Sequence, residues 1–367
     1  MSRDPLGADE GGRRSLTAES VSLQDMEALR LFLQGSSVID WNRLQFQELA
    51  EVDQFLSLLF VDMDTPEGAR RLRFVFNEAA NYIEEHLDLR LPKDLRNPED
   101  VRQVFLDASS FQGRRFRRRQ VLNCTLLKLM HVIAHMEAAE LKFQARVSEA
   151  ELLERAANRI RDHADHMRAQ GFPLRAFYGS RKTRTSTITK LLAKRETIAA
   201  TIFDKLRFRI VTERPEDLLP TMAYLCRTLF PFNYLIPDQS HNNLVPFRRV
   251  LRDTPHYAEL AGDLQKLRRT ATEWIAENNP FSGTTYRTVN FIVDFPVPVW
   301  DSEHPLPPAA RHHLGSTVFV MVEFQLVDRE TAHANEEGEN AHALYKERQK
   351  RQVESRLIKG SLARLRG

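Results

Sequence analysis

Residues 318–326 read Val-Phe-Val-Met-Val-Glu-Phe-Gln-Leu, an apolar run interrupted only at Glu323 and Gln325. β-Branched and aromatic side chains at this density favour a strand over a helix. Successive strand side chains alternate between faces, so Glu323 and Gln325 share one face. Two placements satisfy that pattern. Either the pair looks into solvent from a sheet edge, or Glu323 is buried and needs a charged partner or a metal ion.

Other strand-like runs lie in the same half of the chain: Ala176–Tyr178, Leu206–Val211 and Thr288–Val293. Helical patterns over Thr185–Thr197, Pro215–Leu229 and Tyr257–Glu277 separate them, which predicts an α/β or α+β region. The first half reads as helix throughout. Leu29, Phe32 and Leu33 mark one apolar stripe, and Leu49, Val52, Phe55, Leu56, Leu59 and Phe60 mark another. Pro66 starts a third helix, and residues 121–145 predict one long helix. Ser148, with Glu151 three residues on, resembles a capping box; Gly171 and Pro173 stop the helix that follows. The reading divides the chain into a disordered stretch 1–20, a helical region 21–147, a sheet-containing region 148–347 and a basic helical tail 348–367.

Net charge is +3 over 367 residues, too small for a surface that is basic throughout. Local clusters carry more information. Residues 113–119, Gly-Arg-Arg-Phe-Arg-Arg-Arg, fit either a solvated helix start or an RNA contact. No apolar run approaches the roughly 18–20 residues needed to span a bilayer. The polar N-terminus lacks the apolar core of a secretory signal, and two distant cysteines offer no disulfide framework. These features together predict a cytoplasmic protein with no membrane partner.

Four blocks carry candidate chemistry. In Asp204-Lys205-Leu206-Arg207-Phe208-Arg209, an acid at a strand start precedes two arginines on one strand face. In the segment from Ser180 to Arg195, the cations Arg181, Lys182, Arg184, Lys190, Lys194 and Arg195 surround Ser186 at a helix start. That composition suits a triphosphate, which the helix dipole would also favour. Tyr286, Arg287 and Asn290 stand at a turn-to-strand junction, where an aromatic can stack on a base. Glu323 and Gln325 form the fourth block; a cation shared by Glu323 and Asp204 is one reason for them to face inward. Each block alone also fits a plain structural role: a surface ion pair, a solvated helix, a core tyrosine or a sheet edge.

Taken in order, the blocks resemble the synthetase domain of RelA/SpoT-type (p)ppGpp synthetases. Lys182, Ser186 and Lys190 resemble the first motif, and Asp204 with Arg209-Ile210 the second. Residues 285–290 resemble the third, and Glu323-Phe324-Gln325-Leu326 the fourth. Glu336, Gly338, Ala341, His342, Tyr345 and Lys346 fall at the spacing of the fifth, with Glu336 and His342 in supporting roles. The resemblance covers roughly 148–347 and implies an α+β fold, a mixed β-sheet flanked by helices and nucleotidyltransferase-like. It implies ATP bound by the 182–195 segment, and Mg²⁺ held by Asp204 and Glu323. Tyr286, Arg287 and Asn290 would meet the acceptor. Asp204, Arg209, Glu323 and Gln325 would be catalytic, passing pyrophosphate from ATP to the 3′-OH of GDP or GTP.

The chain departs from the family pattern at Ser180, Thr285, Asn290 and Ala343, mostly on the acceptor side. Two other readings therefore stand beside the first: pyrophosphate transfer to the 3′ end of tRNA, and nucleotide binding without turnover. The helical half lacks the His…His-Asp…Asp pattern of the family's hydrolase domain. His131 and His135, one turn apart, read as surface or core histidines, as do His163 and His166.

Overall fold

The computed structural model describes residues 20–22, 25–26, 28–29, 33, 46–87, 89–109, 113–145, 147–194, 205–236, 239–267, 286–299, 313–337, 346–347, 350–351 and 353–354. Its first half is helical: α1 (Leu49–Ser57), α2 (Pro66–His86), α3 (Lys93–Arg96), α4 (Gln103–Ser109), α5 (Gly113–Gln144) and α6 (Glu149–Ala169). Local signals account for the ends. The Thr65 hydroxyl accepts from the Gly68 amide ahead of Pro66, and the Ser148 hydroxyl accepts from the Glu151 amide. Gly171, at φ 80°, closes α6: its amide bonds to the Arg168 carbonyl and that of Phe172 to the Met167 carbonyl. The helix expected from 121 begins at Gly113, so the basic run forms its first turns. Arg119 within that run is held by Asp94 and Asp107.

The second half supplies β1 (Leu174–Arg181), α7 (Arg184–Lys194), β2 (Leu206–Thr212), α8 (Leu218–Thr228), β3 (His241–Asn242), α9 (Phe247–Asp253), α10 (Pro255–Leu267), β4 (Val289–Pro298), β5 (Thr317–Asp328) and α11 (Arg329–Ala334). The helix expected over Pro215–Leu229 divides into a 3-10 turn at Pro215–Asp217 followed by α8. Of the one expected over Tyr257–Glu277, residues 257–267 form part of α10, which starts two residues earlier, and residues 268–277 fall outside the described residues. No helix among the described residues is long and apolar enough to cross a membrane.

The sheet is mixed and five-stranded, in the order β1-β2-β5-β4-β3. β2 and β5 run parallel, and the other pairs are antiparallel. β5 therefore lies between two neighbours, which excludes the sheet-edge reading of Glu323.

Alternation gives the sheet two unlike faces. On one, Phe208, Phe324 and Phe291 are fully buried and stack in sequence across β2, β5 and β4. Phe230 closes over the last two, and α6 and α8 pack against this side. Gly179 of β1 is needed here, because a Cβ would stand 2.6 Å from the Phe208 ring. The opposite face is polar towards the Asp328 end of β5. Its other end is covered by α5, where His135 stacks between Tyr234 and Phe319 at 5.0 and 4.6 Å. His135 Nε2 lies 3.1 Å from an Asp294 carboxylate oxygen, and its Nδ1 donates to the His131 carbonyl at 3.0 Å. These histidines join the helical region to the sheet.

Candidate functional site

Pairing register lines up the polar side chains in rows. Ser180, Arg207 and Glu323 are in register on β1, β2 and β5. The next row, Tyr178, Arg209, Gln325, Asn290 and His241, crosses all five strands. Paired residues project to the same face, so period-two geometry alone builds a polar floor.

At its centre Glu323 is 4% exposed. Arg207 Nε and Nη2 each lie 2.8 Å from its Oε2, and Gln325 Nε2 donates to Oε1 at 3.0 Å. The buried carboxylate is thus neutralised by an arginine supplied from the neighbouring strand. Arg209 gives Nη1 to Glu336, just after α11, at 3.1 Å. Its Nε and Nη2 are buried with no hydrogen-bond partner among the described residues, and so is Asn290 Oδ1. A guanidinium with buried unpaired N–H groups is costly for folding alone and is suited to an anionic ligand.

Tyr286 roofs this floor. Burial raises the pKa of its hydroxyl, while nearby Arg209 and Arg207 oppose the shift. Two asparagines hold it in place. Asn243 Nδ2 donates to the Tyr286 carbonyl at 2.8 Å, and Asn243 Oδ1 accepts from the Thr288 amide at 2.8 Å. Asn335 Oδ1 accepts from the Arg287 amide at 3.0 Å and its Nδ2 donates to the Arg287 carbonyl at 2.6 Å. Asn243, Asn335, Tyr178 and His241 were not singled out from the sequence. The signal for Asn335 was its place directly before Glu336; that for Asn243 was the polar triplet His241-Asn242-Asn243.

The cationic segment that begins at Lys182 lies beside the start of β2. The Lys182 amide bonds to the Lys205 carbonyl at 3.0 Å, and Thr183 Oγ1 caps α7 by accepting from the Ser186 amide at 3.2 Å. Strand alternation sends Arg181 to the other face, where it pairs with Glu154 of α6 at 3.2 Å. Arg181 is therefore not part of the polar floor; Ser180 occupies that place. Arg184, Lys190 and Lys194 lie on α7, but their side chains fall outside the described residues, as do Asp204, Arg195 and His342 entirely. Arg287 is exposed beside Tyr286.

No group of three metal-ligating side chains occurs among the described residues. Glu323 is the one carboxylate implied as a metal ligand whose position is described, and both its oxygens already accept protein hydrogen bonds. Oε1, which accepts only from Gln325, retains a further lone pair, and Mg²⁺ characteristically takes only one or two carboxylates alongside substrate phosphates. The donor set thus fits a cation that arrives with a nucleotide.

No family model matches the sequence, and no curated protein does. Solved structures do. Small alarmone synthetase 1 from Bacillus subtilis bound to its product pppGpp is similar at 14% identity over 59% of this chain and 93% of that one, with a TM-score of 0.33. A GTP pyrophosphokinase family protein from Streptococcus pneumoniae is similar at 12% identity over 62% and 85%, with a TM-score of 0.27.

Proposed function

We propose that the chain is a nucleotide pyrophosphokinase, moving the β,γ-pyrophosphate of ATP to a ribose hydroxyl of GDP or GTP as the α,β phosphoanhydride bond breaks and AMP leaves. One observation carries the reading. Arg207, Arg209, Glu323, Gln325 and Tyr286, selected from separate motifs far apart in the chain, meet on one sheet face, with Arg209 N–H groups buried and unpaired.

The chemistry asks for charge neutralisation and alignment. Arg209 offers its free N–H groups to phosphate oxygens. Arg207, which now neutralises Glu323, is within reach of the same phosphates. The Tyr286 ring supplies a flat apolar surface for the acceptor base, set at fixed height by Asn243 and Asn335. Glu323 accepts the proton of the attacking hydroxyl, and Gln325 orients that carboxylate through Oε1. Glu323, with Asp204, would hold Mg²⁺, which when bound adds positive charge against the polyphosphate.

Purified protein incubated with ATP, Mg²⁺ and GDP or GTP is expected to yield a pyrophosphorylated guanine nucleotide. Glu323→Gln should reduce that yield by more than about 100-fold while ATP binding persists. Product on tRNA alone would move the acceptor to the tRNA 3′ end, and absence of product with GDP, GTP and tRNA would overturn the reading. A second reading draws on the pairing of Glu323 itself: with both oxygens occupied, the domain binds nucleotide without turnover. Nucleotide binding unchanged in Glu323→Gln, with no product from the unmodified chain, is its signature.

A further inference from the structure

A cavity of about 340 Å³ lies between the helical region and the sheet, away from the polar floor. Its walls come from α1, α2, α4 and α5 on one side, and from Tyr234, Leu314 and the start of β5 on the other. The lining is mostly apolar, with Phe55, Leu72, Phe105, Leu127, Met130 and Phe319 among it. Ligand cavities run about 300–1,000 Å³ and combine such walls with a few placed polar groups. An engineered apolar cavity of about 150 Å³ already takes up benzene.

Here the placed polar group is Asn233. It is 2% exposed, it lines the cavity, and its Oδ1 is buried with no hydrogen-bond partner among the described residues. Its Nδ2 meets His131 Nδ1 at 3.3 Å, so the amide is anchored and its acceptor end is left over. An unsatisfied buried acceptor is costly, and a ligand N–H or O–H relieves the cost.

Charge narrows the ligand. The cation lining the cavity, Arg71, is already neutralised by Glu137 and donates to the His313 carbonyl at 2.8 Å. Asp62 and Glu67 stand exposed among the lining residues and repel anions. Burial pushes His131 down to about 3, so it is an uncharged wall at neutral pH. No unpaired carboxylate among the buried lining residues waits for a cation. Phe60, also in the lining, is held in the left-handed region at φ 61°, with Arg159 stacked on its ring at 4.7 Å.

We infer that this cavity binds a neutral, largely apolar small molecule, one or two rings in size, that carries a single hydrogen-bond donor for Asn233 Oδ1. The binding is separate from the activity proposed above and is read without it. Calorimetry and thermal denaturation of the full chain with indole test it, with 1-methylindole as the matched ring that lacks the donor. Saturable one-to-one binding of indole with a raised Tm is expected, and about tenfold weaker binding of 1-methylindole. Asn233→Leu should erase the difference between the two probes. Ala134→Phe, which fills the cavity from α5, should abolish binding of both; Leu59→Trp fills it from the α1 side if the first variant does not fold. Absence of saturable binding by either probe, or binding that survives a folded filling variant, overturns the site. Equal affinity for the two probes overturns the role of Asn233.

Discussion

The two faces of the sheet are made by the same strands and differ in how completely they are satisfied. On the apolar face every large side chain has a neighbour: Phe208, Phe324, Phe291 and Phe230 form one continuous packing chain. On the polar face the groups are brought together and then left incomplete, with Arg209 and Asn290 retaining buried atoms that no described residue completes. Stability resides on the first face, and the second carries unsatisfied polar groups at some expense in stability.

The strongest test of this contrast is Phe324→Ala. The ring is fully buried on the central strand, and its loss should cost about 3–5 kcal/mol in urea denaturation. Glu323→Ala, its immediate neighbour on the other face, leaves Arg207 without its buried partner. Because the Arg207 side chain is 36% exposed, water recovers much of that charge, and the loss should be about 1–3 kcal/mol. A Glu323 variant that costs as much as Phe324→Ala would erase the distinction.

Acid should weaken the packing behind both faces. Burial pushes His163, on the α6 side, down to about 4, and His131, at the closed end of the polar face, down to about 3. An unfolded histidine titrates near 6.5, so below that pH the unfolded chain takes up protons that the folded chain refuses. The stability contribution is full above about pH 6.5 and is lost as pH falls towards the folded values. Each histidine should account for about 1–2 kcal/mol between pH 7 and pH 5, seen as a shallower decline in His131→Gln or His163→Gln. Denaturation midpoints whose pH dependence matches the unsubstituted chain would count against the burial argument. The smallest expected change is at Asn290→Leu, which removes an unpaired buried acceptor: stability should hold within about 1 kcal/mol or rise slightly, while nucleotide binding weakens. A large loss of stability there would mean that the polar face is already complete.

The sequence disclosed the floor more readily than the roof. Glu323 and Gln325 stand out because polar residues on one face of an apolar strand demand a reason, and Arg207 with Arg209 follows from the same period. Their partnership was hidden, because the parallel pairing of β2 with β5 joins residues 116 positions apart and leaves no local trace. The strand signal at Ala176–Tyr178 stops short of Arg181, which leaves Arg181 among the cations of the expected phosphate site. Extended to Leu174–Arg181, alternation alone turns Arg181 towards α6. The helical half was legible in its end signals, at Pro66, Ser148 and Gly171, but not in its attachment to the sheet. That attachment rests on aromatic stacking of His135 with Tyr234 and Phe319, three residues with no shared motif. Asn243 and Asn335 escaped for a related reason: a carboxamide that braces a distant backbone resembles any turn asparagine until the fold is known.

The place of β5 in the sheet sets a schedule for synthesis on the ribosome. β1 with β2, and β3 with β4, can each pair as the chain emerges, yet the strand that joins the two pairs is the last of the five to appear. A nascent chain halted before Thr317 presents two open strand edges and no Glu323. Such edges are exposed to misassembly until the final strand slots between them. The order of strands therefore withholds the carboxylate from its waiting arginine, Arg207, in a half-made polypeptide.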